Sequence, residues 1–111
     1  MSTSSQRYNA AEKLKDAGDF AQAAEMVEQL LADDPDHVLA HMMLGKIYID
    51  LGKFDEAIQH NQKAVELEPN EPLNHSALSV SYQRAWEGTR DPRYIQMAED
   101  AMARSNRLHG Q

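Results

Sequence analysis

Histidine is the residue type in this chain best suited to metal chemistry, and it occurs five times, at positions 37, 41, 60, 75 and 109. His41 and His75 are 34 residues apart, so a repeating structure points both rings the same way and makes them a candidate metal pair. Cysteine is missing, however, and repetition alone explains the spacing. A metal-dependent enzyme that uses these two histidines is therefore the weakest of three functional hypotheses, and metal analysis of the purified protein tests it.

Other catalytic signatures are missing from the sequence. It contains no Gly-rich phosphate loop, no Gly-x-Ser-x-Gly elbow and no kinase motif. The acidic pairs Asp33-Asp34 and Asp55-Glu56 fall at predicted turns and helix starts, where solvation and the helix dipole account for them. The sequence therefore predicts a protein that is not an enzyme and needs no cofactor.

The charge balance narrows the class of partner. The chain has 18 Asp+Glu against 11 Lys+Arg, and an acidic protein repels nucleic acid and anionic membranes. No segment approaches the ~20 apolar residues of a spanning helix, and the start resembles no secretory signal. We expect a soluble cytoplasmic protein that binds another protein.

A 34-residue repeat organises the chain. A shift of 34 places Gly18 on Gly52, Phe20 on Phe54 and Pro35 on Pro69. Each unit is predicted to form two antiparallel helices, because apolar residues recur every three or four positions and a turn glycine separates the two stretches. Pro35 and Pro69 end the second helices, and Asp36 and Asn70 are predicted to cap the helices that follow.

The second unit resembles the tetratricopeptide repeat. The matching residues are Leu44-Gly45, Tyr48, Gly52, Phe54, Ala57, Ala64 and Pro69, with His41 at the position of the usual bulky residue. The first unit keeps Gly18, Phe20, Ala23 and Pro35 but has Ala10, Ala11 and Leu14 in place of the Leu-Gly pair and the tyrosine. The resemblance implies an all-α fold, a right-handed superhelical stack of about three helix-turn-helix hairpins.

The predicted domain spans residues 4–108, with repeats at 4–37, 38–71 and 72–108 and flexible ends at 1–3 and 109–111. In the third unit Trp86 replaces the turn glycine, and residues 86–93 are predicted to form an enlarged loop in which Asp91 caps the next helix and Pro92 occupies its first turn. A three-residue insertion then brings a new set of side chains to the packing face. These are Tyr94, Ile95, Ala98, Ala101 and Met102.

The resemblance also implies a concave groove, lined by the first helix of each unit, that holds a peptide or an amphipathic helix of another protein. The residues assigned to this groove are Tyr8, Glu12, Lys15, Leu39, Met42, Lys46, Ile49, Asp50, Leu73, Ser76, Val80 and Arg84. Its apolar members can receive an apolar helix face, while Lys46 and Arg84 can bind acidic residues beside it. Several of these side chains can equally belong to the core between repeats.

Family members that bind chaperone tails use Lys, Asn and Arg to hold two carboxylates. The corresponding positions here are Tyr8, Glu12, Met43, Leu73 and Ala77, which cannot form that clamp. The main prediction is thus a protein-binding adaptor of another specificity.

The alternative is a structural subunit that self-assembles. Solenoids usually finish with a polar outer helix, whereas the last hairpin here is expected to expose Ile95, Met97, Met102 and Leu108, which a homo-oligomer would cover. Charge favours the same idea: residues 4–37 carry three basic and eight acidic side chains, against five and four in residues 72–111. The acidic end of one molecule can thus meet Arg90, Arg93, Arg104 and Arg107 of another.

Overall fold

The computed structural model describes residues 3–110, which form six α-helices. The helices are α1 (Ser4–Asp16), α2 (Phe20–Asp33), α3 (Val38–Asp50), α4 (Phe54–Leu67), α5 (Pro72–Thr89) and α6 (Arg93–His109). They pair as three hairpins, and each following hairpin packs its first helix on the second helix of the hairpin before it. The predicted all-α stack of hairpins is confirmed. No helix within residues 3–110 is long and apolar enough to cross a membrane.

Glycine makes the first two hairpin turns. Gly18 and Gly52 have φ angles of 86° and 75°, a left-handed conformation that glycine adopts without steric cost. The residue after each glycine then donates its backbone N–H to a carbonyl in the last turn of the first helix of the hairpin. In the second hairpin this hydrogen bond runs from Lys53 to Tyr48 and is 2.7 Å long. The glycines predicted from the repeat therefore reverse the chain where expected.

The caps predicted for the next helices are wrong by one residue. His37, not Asp36, precedes α3, and its Nδ1 accepts from the backbone N–H of Ala40 at 3.1 Å. Glu71, not Asn70, precedes α5, and Pro72 follows it in the first turn. Because proline fixes φ near the helical value, Pro72 suits the first helical position and moves the start of the helix one residue later.

Two apolar clusters form the core. The first joins α1, α2 and α3 around Val27, Leu30 and Leu44, and the second joins α4, α5 and α6 around Ile58, Leu78 and Tyr82. A polar contact links α3, α4 and α5. The buried Asn61 amide lies against Gly45 of α3 and donates to the hydroxyl of buried Ser81 on α5. Gly45 marks a close approach of α3 and α4.

The structure of the third hairpin contradicts the predicted loop. The enlarged loop at 86–93 does not form, because α5 continues helically through Trp86 and Gly88 to Thr89. A Cβ atom at Gly88 would overlap the Phe54 ring, so the added turn is held by packing across the start of α4. Arg90, at φ 61°, then ends α5 in the left-handed conformation that glycine provides elsewhere.

The packing register of α6 agrees in part with the predicted three-residue insertion. Asp91 accepts from the backbone N–H of Arg93 at 3.0 Å, but Pro92, predicted to lie in the first turn, is the residue that directly precedes α6, so this cap is also displaced by one residue. Ala98 and Ala101 are buried with Tyr94 packed against them, whereas Ile95 is 40% exposed. Thr3 and His109, assigned to flexible ends, instead cap α1 and close α6; residues 1, 2 and 111 lie outside the described residues.

Candidate protein-binding groove

The first helices of the three hairpins lie side by side. Helix α3 contacts both α1 and α5. The exposed surface of α1, α3 and α5 forms three adjoining depressions, which together we call the groove. All twelve residues assigned to the groove from the resemblance line at least one depression.

The middle of the groove is apolar. A depression of about 240 Å³ lies between α3 and α5, and its lining includes Met42, Ile49, Leu73 and Val80. Together with Leu39 these residues form what we call the apolar strip. Leu39 and Leu73 are 54% and 59% exposed, whereas Met42 is only 9% exposed. The two leucines therefore offer free apolar surface, while Met42 belongs mostly to the core between helices.

Lys46 occupies the centre of the groove and lines all three depressions. The other two cations are partly neutralised, since Lys15 lies 3.4 Å from Asp16 and Arg84 lies 3.5 Å from Glu87. Lys46 forms no ion pair within residues 3–110. It therefore presents an exposed ammonium beside apolar surface, which suits a carboxylate brought by a partner.

The amino-terminal end of the groove is less suited to anions. Glu12 lines the same depression as Tyr8, and burial, followed by the Glu12 carboxylate, raises the pKa of the Tyr8 hydroxyl. Met43 of the expected clamp set is buried, being 4% exposed. A clamp for two carboxylates therefore lacks the cations it needs, and one of its five positions is not accessible.

The two histidines one repeat apart have a structural use. The Nε2 atoms of His41 and His75 lie 2.8 and 2.7 Å from the carbonyl oxygens of Pro35 and Pro69. Each ring thereby satisfies a carbonyl at the end of the preceding hairpin. Residues 3–110 contain no group of three or more ligands that suits a metal ion, so the proposed metal pair loses its geometric basis.

A second histidine contact was not foreseen from the sequence. His60 of α4 lies with its Nδ1 atom 3.1 Å from Nδ1 of His41. Its Nε2 atom is 3.7 Å from Glu28 of α2, whose carboxylate accepts from the Tyr48 hydroxyl at 2.6 Å. Repeat spacing could not find this contact, because His60 has no histidine one repeat away.

The last hairpin has an apolar cleft on its outer side. This outer cleft measures about 400 Å³ and includes Trp86, Tyr94, Ile95 and Met102 in its lining. The guanidinium of Arg90 lies 5.3 Å from the centre of the Trp86 ring. Trp86, predicted to be a loop residue, is therefore part of a helical surface.

This geometry defines a class of protein, a stack of helical hairpins whose first helices lie side by side. A family model described as Tetratricopeptide repeat matches residues 8–72. The chain belongs to the tetratricopeptide repeat family, whose general role is protein interaction.

Individual relatives support the fold. Cell division cycle protein 27 homolog A of Arabidopsis thaliana is 34% identical over 64 residues, which are 58% of this chain and 9% of that protein. A crystal structure of MamA has a TM-score of 0.81 at 17% identity, covering 97% of this chain and 59% of that one. The second repeat domain of Spaghetti (RPAP3), bound to the HSP90 peptide SRMEEVD, has a TM-score of 0.78 at 15% identity, covering 95% of this chain and 91% of its own. These two structures show the shared fold alone.

Proposed function

We propose that this protein is a non-enzymatic adaptor whose groove binds an amphipathic helix or peptide of another protein in the cytoplasm. The occupant carries apolar side chains that cover Leu39 and Leu73 and an acidic side chain that reaches Lys46. The observation that carries the proposal is the free ammonium of Lys46 at the junction of all three depressions, beside exposed apolar side chains.

The apolar strip supplies affinity in this proposal. Full burial of a leucine side chain contributes about 1.5–3 kcal/mol, and Leu39 and Leu73 keep more than half of their surface exposed. Covering each one therefore contributes roughly 1 kcal/mol. Replacing either with glutamate removes that contribution and places a charge against the occupant's apolar face, which predicts at least about a tenfold loss of affinity.

Peptide display tests the proposal. A library of helical peptides is selected against the wild-type protein, and the affinities of the selected peptides are then measured for single variants. Leu73→Glu is compared with Leu51→Glu, because Leu51 is 38% exposed in the turn after α3 and lines none of the three depressions. Lys46→Glu is compared with Lys13→Glu, which makes the same charge change at an exposed site outside them.

The expected peptides share apolar residues three or four positions apart and an acidic residue, and they lose affinity for Leu73→Glu and Lys46→Glu but not for the controls. Selected peptides that bind all four variants equally would show that the groove is not the binding surface. Met42 is a poor probe despite its place in the groove, because a charge at this buried position would disturb folding.

Self-assembly is the second candidate function, and the outer cleft favours it. A second copy covering Ile95 and Met102 would bury apolar surface that is now open to solvent. The arginines predicted to attract an acidic end are partly engaged already, since Arg93 lies 2.6 Å from Asp91. Sedimentation at high micromolar concentration tests this candidate: a mass that falls to the monomer in Ile95→Glu supports it, and a strictly monomeric wild type contradicts it.

A further inference from the structure

His41 and His60, which we call the histidine pair, connect three helices. His41 belongs to α3 and is 7% exposed, while His60 belongs to α4 and faces Glu28 of α2. Their ring centres are 5.3 Å apart. The pair therefore lies where the second helix of the first hairpin meets both helices of the second.

The positions of the protons follow from the partners. The carbonyl of Pro35 can only accept, so Nε2 of His41, at 2.8 Å, must carry a hydrogen. A neutral His41 then has a lone pair on Nδ1, and Nδ1 of His60, at 3.1 Å, must be the donor to it. This leaves the lone pair of the neutral His60 on Nε2, which faces the Glu28 carboxylate.

We propose that the histidine pair is a proton-sensitive contact between the first and second hairpins, which stays closed with at most one added proton and opens with two. The first proton enters on Nε2 of His60 and leaves the hydrogen bond between the rings intact. The second has to enter on Nδ1 of His41. Two N–H groups would then point at each other across 3.1 Å, and two positive rings would share a partly buried site.

Neighbouring charged groups influence how readily His60 binds the first proton. Glu28 of α2 and Glu56 of α4 favour a charged His60, whereas His41 of α3 disfavours it. The Tyr48 hydroxyl donates to the same Oε1 of Glu28 that faces His60. Lys63 of α4 adds a cation to a surface depression that the histidine pair and Glu28 also line. Burial is the largest influence and lowers the pKa of His60.

The lowered pKa of His60 sets the direction in which stability changes with pH. Unfolded histidines titrate near about 6.5, and His60 titrates below its ordinary range in the folded protein. The unfolded chain therefore binds more protons than the folded chain as the pH falls below about 6.5. The stabilising contribution of the pair is present in full above that pH and is lost as the pH falls through the lowered pKa of His60.

The junction between the second and third hairpins serves as an internal control for the histidine pair. His75 makes the same contact with the Pro69 carbonyl, at 2.7 Å, and is equally buried, with 7% of its surface exposed. Within residues 3–110 no second histidine lies against its ring. His75 can therefore take a proton on Nδ1 without meeting another N–H group, and the junction between the second and third hairpins is expected to respond less to acid.

His60→Asn separates this mechanism from a general effect of acid. The asparagine amide nitrogen replaces Nδ1 as the donor to His41 and, when rotated, its oxygen can accept from a protonated His41. Amide hydrogen exchange is measured for wild type, His60→Asn and the control His75→Gln at pH 7.5 and pH 5, with correction for the intrinsic exchange rates. The tautomers of the wild-type rings are assigned by long-range ¹H–¹⁵N NMR at pH 7.5.

We expect the wild type to lose protection in α1 and α2 at pH 5 by at least about tenfold more than His60→Asn does, which corresponds to one pKa unit. His75→Gln should retain the wild-type response of α1 and α2. An equal response in wild type and His60→Asn would overturn the proposal. If His60→Asn fails to fold, the tautomers decide, because a neutral His41 with its hydrogen on Nδ1 is incompatible with the proposed pair. Neither readout depends on a partner bound in the groove, so failure here leaves the proposed adaptor function standing.

Discussion

Gly45→Ala tests the packing that joins the second and third hairpins. A Cβ atom at position 45 would overlap the side chain of Asn61, and the amide of Asn61 cannot retreat without breaking its bond to Ser81. Asn61 and Ser81 are 3% and 0% exposed, so water cannot replace the lost partner. The substitution is therefore expected to lower the free energy of unfolding, although alanine is the better helix former.

The magnitude can be worked from these contacts. Leaving a buried polar group without a partner costs about 1–3 kcal/mol, and inserting a methyl group into a packed interface costs about 1–3 kcal/mol. Alanine recovers about 1 kcal/mol of helix propensity relative to glycine. The expected net loss is about 1–5 kcal/mol, measured as the free energy of unfolding from urea titrations followed by circular dichroism.

A double-mutant cycle isolates the cause. In an Asn61→Ala background the obstruction is gone, so Gly45→Ala should become neutral or stabilise by up to about 1 kcal/mol. The coupling between positions 45 and 61 should then reach about 1 kcal/mol or more, as for residues in direct contact. If Gly45→Ala stabilises the wild type, or if its cost is the same in both backgrounds, the overlap with Asn61 is not the controlling contact.

Three further substitutions are expected to lower the free energy of unfolding in urea titrations. Gly88→Ala should cost about 1–3 kcal/mol by displacing the Phe54 ring, and an unchanged or higher stability would show that the ring has room to move. Gly52→Ala should cost about 1–2 kcal/mol because φ is 75° there; a cost near zero would mean that the turn can be rebuilt. His75→Leu should cost about 1–3 kcal/mol by leaving the Pro69 carbonyl without its donor, and a neutral result would indicate that water replaces the imidazole.

The extent of α5 shows where sequence-based reasoning fails. Trp86 stands at the repeat position of the turn glycine, so the repeat predicts the end of a helix there. Yet Trp86 and Glu87 are compatible with a helix, and Gly88 allows close contact with Phe54, more than thirty residues earlier in the chain. Local residue types leave both outcomes possible, and only the packing of α5 on α4 selects the longer helix.

The groove was largely predictable because its positions follow from the repeat. Each groove residue lies on a first helix, and a fixed interval of 34 residues places the same helix face toward the same side in every hairpin. The degree of exposure was not predictable. Met42 and Leu39 are three residues apart on α3, but the first is nearly covered and the second is more than half exposed, because exposure depends on the neighbouring helices.

The sequence by itself determined the family and the number of hairpins, because glycine, proline and apolar spacing act through local conformation and helical periodicity; the side of the groove came from the family resemblance. Tertiary structure decided the length of α5, the contact between His41 and His60, and the bond of Asn61 to Ser81. Those features depend on distances between residues that are far apart in the chain and do not share a repeat position. Their physical origin is the packing of one helix on another, which a one-dimensional pattern does not contain.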